Sequence, residues 1–509
     1  MVSSPCQSRT PSRETILGSL NSVLPQVDEI RKTGGNVGMS IGVMYRGEVI
    51  LKHHLGFANL EANEVANSST RYPLGSLTKA FVATTIAQLV DEGLLNWDEP
   101  VRTYIPELNF ESDPSLSSRL TLIDLLSHQT GLSRSDALWI GANGETIIPK
   151  NLTVTMCNHL VPVYPLRSNW LYNNWMYALA GEIIERIAGM PFGEVLETRV
   201  LHKVGLTETT MIDEKIPPNS TAVPYLILDD NTVNDMLKWG HVMLNPFRDE
   251  NSVLSGMSTV LSGHSFMNRS YGFDELYTLG FAKVTTPAQF GKIGFNPSLL
   301  KQGMPVLGTN SEPRLVFYHN GAINGYTSCF MLIPELDAVI VVLSNSISQG
   351  DTADWASQTI LQVVLDIPSP MDFLPHAEQA ANTWRSTYRT ISDTLEQERT
   401  PGTEKPPYGE LEGTYWHETK ALYLQVFQDG GYLKFNINGK PSQEHELSHY
   451  HYNSFIFLPT ADDRTRRGLF DYNTNAWLLH FEKDSEDSFQ RLVWNIDDQT
   501  PSGEVFIKS

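Results

Sequence analysis

The stretch YPLGSLTKAFVATTIAQLVDEGLLNWDEPV, residues 72–101, places a serine and a lysine at the start of a long apolar segment. Its apolar spacing predicts a helix from Ser76 to about Glu92, and Gly93 is a residue type suited to ending it. Residues three positions apart lie on the same face of a helix, so Ser76 and Lys79 are expected to face each other. Because mainly apolar residues follow Lys79, its side chain is predicted to be buried.

A buried lysine next to a serine can activate that serine as a nucleophile. Burial disfavours the charged form of the amine, and a neutral amine can accept the proton of the serine hydroxyl. The first turn of a helix also offers backbone N–H groups that favour developing negative charge. The alternative is that Ser76 caps the helix and Lys79 is an ordinary surface residue. The four-residue pattern alone favours this alternative.

A second candidate group lies in NWLYNNWMYALAGEIIERIAG, residues 169–189. The charge of a nearby lysine would lower the pKa of the Tyr172 phenol, which could then act as general base and later as general acid. The amide of Asn174 could donate to a substrate carbonyl and hold Lys79 through its oxygen. Alternatively, Tyr172 packs with the neighbouring tryptophans as part of an aromatic helix start.

A third candidate group is His319-Asn320-Gly321, within LVFYHNGAINGYTSCFMLIPE. Glycine allows a strand to approach a ligand closely. The N–H of Ala322 could then join that of Ser76 in an oxyanion hole, and His319 would face the acyl or leaving group. A histidine next to a turn in a strand is also a common structural residue.

Taken together and in this order, the three groups resemble the serine β-lactamase and penicillin-binding protein superfamily. LGSLTKAF, LTLIDLLSHQTGL, YNN and YHNGAINGYTS are similar to segments of its class C β-lactamase-like hydrolases, D-aminopeptidases and esterases. The resemblance covers roughly residues 15–365 and implies that Ser76 is acylated. By the same likeness, Lys79 activates it, Tyr172 is the general base, Asn174 is a polar clamp, and His319 and Gly321 form the third motif. LLSHQTGL and NDMLKW are interpreted as structural.

One departure from the family pattern bears on the substrate. Enzymes of this family that degrade β-lactams usually have Lys-Thr-Gly as third motif, and its cation binds the substrate carboxylate. This chain has His-Asn-Gly at residues 319–321, and histidine is neutral or partly charged near pH 7. The resemblance therefore favours ester or small-amide chemistry over antibiotic hydrolysis.

The order of predicted elements gives a mixed α/β (α+β) fold. The predicted elements of roughly the first 365 residues are a first helix, a hairpin turning at Arg46-Gly47, a largely helical middle and late strands. This order predicts a sheet in which the two ends of this part of the chain meet. The family likeness implies an antiparallel sheet flanked by helices plus an all-helical subdomain, with the site between them. We expect a hydrolase domain at 1–375, a helical linker at 376–407 and a tail domain at 408–509.

The tail consists of short alternating runs separated by turn residues, which is typical of an antiparallel β-barrel. The runs are LEGTYWHE, ALYLQVFQDG, GYLKFNING, NSFIFLP, RRGLFDYN, AWLLHFEKD, QRLVWNID and GEVFIKS. The pattern resembles the lipocalin-like domain appended to some of these enzymes. It is expected to shape the mouth of the active site or to mediate homo-oligomer contacts. Its aromatic residues are expected to fill the barrel core rather than a ligand cavity: Tyr415, Trp416, Tyr432, Trp477 and Trp494.

Composition narrows the class of protein. The 509 residues are 41% hydrophobic and 19% charged, with a net charge of −21, which disfavours nucleic acid and anionic membranes as partners. Three scattered cysteines, Cys6, Cys157 and Cys329, are neither a disulfide framework nor a metal site. The N-terminus has no continuous apolar signal region. We expect a cytoplasmic protein with no metal and no organic cofactor.

Three functions remain open from the sequence. The first is a serine hydrolase acting on a small acyl substrate. The second is an acyltransferase that passes the acyl group to an alcohol or amine, and the third is a catalytically silent relative. SDALWIGANGETIIPKNLTVTMCNHLVPVYP, residues 135–165, is expected to line the cleft, with Trp139 as one wall, and its apolar content favours a bulky, neutral acyl group.

Overall fold

The fold is a mixed α/β arrangement followed by a barrel, as predicted. The computed structural model describes residues 10–212, 215–216, 220–223, 231–248, 252–268, 274–469, 473–496, 499 and 502–509. Within them lie a nine-stranded sheet flanked by helices and a closed barrel of eight strands. Neighbouring strands of the large sheet run antiparallel.

The large sheet joins the two ends of the N-terminal part. The strands of this part are β1 (Gly38–Tyr45), β2 (Glu48–Asn59), β3 (Glu64–Val65), β4 (Arg71–Tyr72), β5 (Asn231–Thr232), β6 (Ser265–Asn268), β7 (Glu275–Tyr277), β8 (Ala282–Thr285), β9 (Ala288–Gln289), β10 (Val306–Leu307), β11 (Leu315–Ile323), β12 (Tyr326–Ile333) and β13 (Ala338–Ser344). The sheet order is β3-β2-β1-β13-β12-β11-β8-β7-β6. Early β1 thus pairs with late β13, and Met39 lies opposite Ser344. The predicted meeting of the chain ends is confirmed.

Helices lie on both faces of this sheet and in a neighbouring helical region. They are α1 (Arg13–Thr33), α2 (Thr78–Asp91), α3 (Leu122–Leu126), α4 (Thr153–His159), α5 (Asn174–Ala188), α6 (Phe192–Leu196), α7 (Val233–Leu244), α8 (Met257–Val260), α9 (Asn296–Leu299), α10 (Thr352–Val364) and α11 (Leu374–Glu398). α1 and α10 pack with the sheet in one core that includes Leu20 and Trp355. α2, α5 and α7 belong to a second core, which includes Phe81 and Trp239. β1, β12 and β13 are consequently buried along their whole length.

Turn residues in the sequence take the conformations expected of them. Arg46 and Gly47 have φ of 52° and 74°, which is the left-handed pair of a tight hairpin, between β1 and β2. Gly93, at φ 72°, follows the C-terminal end of α2. Ser76 lies in the 3₁₀ turn Gly75–Leu77 that leads into α2, so the regular α-helix begins two residues later than predicted.

The C-terminal part closes into a barrel. Its elements are α12 (Tyr408–Leu411), β14 (Gly413–His417), β15 (Tyr423–Asp429), β16 (Tyr432–Ile437), β17 (Glu444–His451), β18 (Ser454–Ile456), α13 (Ala461–Arg466), β19 (Leu478–Lys483), β20 (Phe489–Trp494) and β21 (Glu504–Lys508). The first and last strands pair, with Trp416 opposite Ile507, and this pairing removes the sheet edges.

One predicted barrel strand is not present in its described residues, and another strand was missed. RRGLFDYN begins at the end of α13, and its residues 470–472 lie outside the described residues. The remaining strand is β17, EHELSHYH, whose inward residues include His445, Leu447 and Tyr450. The alternation is hidden in the sequence because a histidine takes a core position.

The aromatic residues of the barrel divide into two groups. Tyr415, Trp477 and Trp494 are buried in its core, as predicted. Tyr432 is 56% exposed and Trp416 is half-buried, so the prediction is wrong for these two. Both occur at strand positions that point away from the barrel interior.

The barrel contacts a loop of the N-terminal part at residues 134–147, called the 134–147 loop below. The Gln443 side chain accepts a hydrogen bond from the Ala142 N–H at 2.8 Å and donates to its carbonyl at 2.9 Å. The Gln499 side chain accepts from the backbone N–H of Arg134 at 3.0 Å. Barrel residues therefore hold the start and the middle of this loop.

Two further features of the described residues concern membranes and thiols. Among the described helices, none has the length and apolar character needed to cross a bilayer. Cys157 and Cys329 are buried free thiols, and Cys6 lies outside the described residues.

Candidate active site

Ser76 lies where the turn before α2 meets the end of β11. Gly75 has a φ of +56°, and a Cβ at this position would lie 2.7 Å from the backbone nitrogen of Ala322. A Cβ on Gly321 would collide with the carbonyl oxygen of Leu74. Two glycines thus allow direct backbone contact between the turn and the strand. The two residues expected to supply the oxyanion hole, Ser76 and Ala322, lie on these adjoining segments.

Lys79 connects the serine to the second candidate group. Its Nζ donates to Ser76 Oγ at 3.1 Å and to the amide oxygen of Asn174 at 2.7 Å. The same nitrogen lies 4.6 Å from the centroid of the Tyr172 ring. Lys79 is 6% exposed, so it is not the surface residue of the alternative interpretation. Residues 76, 79, 172 and 174 are brought together.

Burial sets the protonation state of this lysine. It lowers the pKa of Lys79 to about 7, against a smaller raising effect of Asp136 and together with a lowering effect of Arg134. A substantial fraction of the amine is therefore neutral at physiological pH. A neutral amine at 3.1 Å from a serine oxygen can accept its proton.

Tyr172 differs from its predicted state. Burial raises its pKa above the ordinary value, and the nearby Ser76 side chain only partly opposes this effect. The predicted lowering by Lys79 is wrong because desolvation is the larger influence. The phenolic oxygen is buried and makes no hydrogen bond of good geometry within the described residues. At neutral pH this residue is a proton donor rather than a phenolate base.

An Arg-Asp pair completes this side of the site and was missed in the sequence. The Asn174 amide donates to Asp136 at 3.1 Å, and Asp136 forms an ion pair with Arg134 at 2.8 Å. The Arg134 guanidinium also lies 5.9 Å from the centroid of the Tyr172 ring. The available signal was a closely spaced charged pair inside a largely apolar segment, directly after SHQTGL.

The third motif lies at the site, and its histidine contacts a tyrosine hydroxyl. His319 is fully buried, and its Nε2 is 2.9 Å from the Tyr277 hydroxyl. Burial, with a contribution from Lys79, lowers its pKa to about 3, so the ring is neutral. Its ring centroid is 6.1 Å from that of Tyr172. Tyr277 is thus a further residue that sequence reasoning missed.

The two segments interpreted as structural, LLSHQTGL and NDMLKW, provide buried side chains that bind backbone N–H groups. His128, in LLSHQTGL, is buried and accepts a hydrogen bond from the Asn173 N–H through Nδ1 at 3.1 Å. Its ring centroid is 4.4 Å from that of Tyr172, so the two rings pack against each other. In NDMLKW, the buried carboxylate of Asp235 accepts from the Glu208 N–H at 2.8 Å.

Trp139 lies in the 134–147 loop, close in sequence to Asp136. Its side chain is 36% exposed, and its carbonyl accepts a hydrogen bond from the Ile147 N–H at 3.0 Å. The loop therefore holds an exposed indole in the segment that also supplies Arg134 and Asp136. Its role as a wall of the substrate cleft stays a prediction.

Comparison with known proteins identifies the family. The family model for β-lactamase matches residues 26–363, which is more than half of the chain. The chain belongs to the β-lactamase family. A second family model, a domain of unknown function (DUF3471), matches residues 397–505, the region that contains the barrel. The family assignment agrees with the resemblance seen in the sequence.

Several curated proteins of this family are similar to the chain. Penicillin-binding protein 4* of Bacillus subtilis is 23% identical over 312 residues, which cover 59% of this chain and 66% of that protein. Unguisins hydrolase ungD′ of Aspergillus campestris is 23% identical over 424 residues, 75% of this chain and 72% of that protein. Esterase EstB of Burkholderia gladioli is 27% identical over 224 residues, 42% of this chain and 55% of that protein.

A solved structure has the same fold over nearly the whole chain. The octameric penicillin-binding protein homologue from Pyrococcus abyssi superposes with a TM-score of 0.56 at 18% identity, covering 97% of this chain and 100% of that one. Together, the family model and the hydrolase and esterase relatives support a serine hydrolase.

Proposed function

We propose that this family member is a serine hydrolase that cleaves an ester, thioester or amide of a small molecule through an acyl-enzyme on Ser76. The observation that supports this most directly is the contact of Lys79 Nζ with Ser76 Oγ at 3.1 Å. The amine is buried and has a pKa of about 7, so it can act as a base at the pH of a cell.

In the acylation step, Ser76 Oγ attacks the carbonyl carbon as its proton passes to the neutral amine of Lys79. The new C–O bond places negative charge on the carbonyl oxygen, which the N–H groups of Ser76 and Ala322 would stabilise. The close approach of Gly75 to Ala322 supports this assignment. Asn174 holds the amine in place through its amide oxygen at 2.7 Å.

Collapse of the tetrahedral intermediate breaks the bond to the leaving group. The proton taken up by Lys79 returns to the departing alkoxide, thiolate or amine, and the neutral Tyr172 hydroxyl is suited to relaying it. Water then attacks the acyl-serine, again losing its proton to the amine, and Ser76 is regenerated as the acid leaves.

The third motif supports a neutral substrate. Its histidine is buried, uncharged and bound to Tyr277, so it offers no fixed cation to a substrate carboxylate. β-Lactam hydrolysis is therefore disfavoured, and esters or small amides with bulky neutral acyl groups are favoured, with Trp139 as one wall. The similarity to the unguisins hydrolases of Aspergillus makes unguisins a reasonable member of a substrate panel.

Fluorophosphonate labelling followed by mass spectrometry tests the nucleophile. We expect one adduct on Ser76 in the full-length chain and none in Ser76→Ala, which should also lose turnover of p-nitrophenyl esters. The matched control is Ser22→Ala, on the exposed face of α1, with labelling unchanged. Labelling at another residue, or near-normal turnover in Ser76→Ala, would refute the assignment. No adduct in the wild-type chain would indicate the silent alternative.

A transfer assay separates hydrolysis from the acyltransferase alternative. Water and an alcohol compete for the same acyl-serine, so the enzyme is given a chromogenic ester with increasing concentrations of small alcohols. Free acid as the main product supports a hydrolase, and accumulation of the new ester without free acid supports an acyltransferase. A cytoplasmic location and homo-oligomer formation stay predictions.

A further inference from the structure

A second polar cluster lies between the barrel and the helical region, and no step at Ser76 uses it. His159 is the last residue of α4, while His417 and Glu504 lie on the paired strands β14 and β21. Nε2 of His159 is 3.2 Å from Glu504 Oε2, and Nε2 of His417 is 3.0 Å from the same oxygen. His417 and Glu504 are buried, and the His159 side chain is 15% exposed.

From this cluster we infer a zinc site, with His159, His417 and Glu504 as protein ligands and water as the fourth. Two imidazoles and one carboxylate are a ligand set that suits Zn²⁺. Their ligand atoms lie within 4.8 Å of one another. Ligands bound to tetrahedral zinc at about 2.0–2.1 Å are about 3.4 Å apart, so the two histidine–Glu504 contacts need only a few tenths of an ångström of expansion.

The other ring nitrogens of both histidines have oxygen partners. Nδ1 of His159 is 2.9 Å from a carboxylate oxygen of Glu418, and Nδ1 of His417 is 2.8 Å from the Thr419 hydroxyl. The Glu418 carboxylate holds the Nδ1–H tautomer of His159 and directs its Nε2 lone pair towards a metal. Nδ1 of His417 also accepts a hydrogen bond from the Thr419 N–H at 3.3 Å, so ligation by Nε2 of His417 requires its proton to leave the ring or move to Nδ1. His159 therefore has the orientation that zinc ligands usually show.

The charge of the cluster also favours a divalent cation. Glu504 supplies a carboxylate at the centre of the cluster, in contact with both imidazoles. Glu418 adjoins His159 at 2.9 Å, and Glu111 lies 3.9 Å from the same ring. Without a metal, protons on the imidazoles would occupy the same space. The experiment must therefore distinguish protonation from metal binding.

The sequence predicted no metal because His159 is 345 positions from Glu504 and His417 is 87 positions from it. A bound zinc ion would join α4 to two barrel strands, and would fix the barrel to the helical region independently of the chemistry at Ser76. Its loss is expected to lower thermal stability, because a ligand that binds only the folded state stabilises that state.

Metal analysis of the full-length chain tests the inference. The protein is purified without a polyhistidine tag or chelator, and zinc is measured by inductively coupled plasma mass spectrometry. We expect about one zinc per chain, a midpoint of thermal unfolding that falls by several degrees after chelation, and recovery with equimolar Zn²⁺. Glu504→Gln and His417→Gln should lose the metal and the response. His480→Gln, an exposed barrel histidine, should retain both.

Cobalt substitution of the wild-type chain provides a test that needs no variant. Co²⁺ in a four-coordinate site absorbs visible light much more strongly than hydrated Co²⁺, and equimolar Zn²⁺ should abolish this absorption. The inference is overturned if the chelated wild type binds neither Zn²⁺ nor Co²⁺ at about 100 μM. It is also overturned if both ligand variants fold, as judged by circular dichroism, and retain full zinc.

Discussion

At the scale of single residues, the protonation of Lys79 governs the proposed chemistry. Its pKa of about 7 predicts that acylation of Ser76 becomes faster as pH rises through 7 and then levels off, because the neutral amine is the base. The measurement is the second-order rate constant of fluorophosphonate labelling between pH 5.5 and 9. Lys79→Met should slow labelling by about 10²–10⁴-fold, whereas Lys203→Met, on the surface, should not. A flat profile would contradict this assignment.

Asp136 should influence the pH at which labelling of Ser76 accelerates. Its carboxylate raises the pKa of Lys79, so Asp136→Asn is expected to move the midpoint of the pH profile below 7. A decrease of half to one unit would increase the neutral amine at pH 6 about 2.5- to 5.5-fold. The same labelling assay measures the change, with the exposed Asp393→Asn as control. A midpoint that stays the same or rises would show that Asp136 does not influence the base.

The parts of the site that could be predicted from spacing are those whose contacting residues are close together in the sequence. The Ser76–Lys79 pair was visible because three positions of a helix place them on one face. Tyr172 and Asn174 were found through the family pattern, since the chain separates them widely from Ser76. The charge state of Tyr172 was not predictable, because burial comes from packing that no local pattern displays.

At the scale of elements, the contact between β11 and the turn before α2 should be intolerant of a side chain. Gly321→Ala would push its methyl group into the Leu74 carbonyl and the Ser328 hydroxyl. We expect a loss of about 1–3 kcal/mol of stability, with slower acylation as Ala322 moves away from Ser76. Thermal unfolding and labelling rates measure the two effects.

A second glycine substitution provides the control for this prediction. Gly18 lies within α1 with no atom close to the position of a Cβ. Gly18→Ala should therefore stabilise the chain by about 0.5–1 kcal/mol and leave labelling unchanged. Wild-type stability and labelling in Gly321→Ala would show that the close backbone contact is not required.

Elements were predictable where the apolar period is regular. α5, the hairpin of β1 and β2, and the adjacent strands β11 to β13 all have strong patterns and clear turn residues. β17 was missed because His445 occupies an inward position that a pattern of apolar residues does not recognise. In RRGLFDYN, residues 466–469 are the end of α13 and the turn that follows it, and Thr460 caps the start of this helix.

At the scale of the whole molecule, the barrel and the site are connected through the 134–147 loop. The loop supplies Arg134 and Asp136 to the site, and Gln443 and Gln499 of the barrel hold its backbone. No sequence pattern predicts such a contact, because the partners are about 300 or more positions apart. The contact favours a barrel that shapes the mouth of the site. The boundaries 1–375, 376–407 and 408–509 stay a prediction.

Gln443→Ala tests this coupling directly. The substitution leaves the N–H and carbonyl of buried Ala142 without their side-chain partner, which should cost about 1–3 kcal/mol. Because the loop then loses part of its attachment to the barrel, we expect KM for bulky p-nitrophenyl esters to rise several-fold while small acetyl esters change little. The exposed Gln428→Ala is the matched barrel control, with both esters unaffected. Equal changes for bulky and small esters would indicate a general loss of stability, and no change in either would show that the barrel does not shape the cleft.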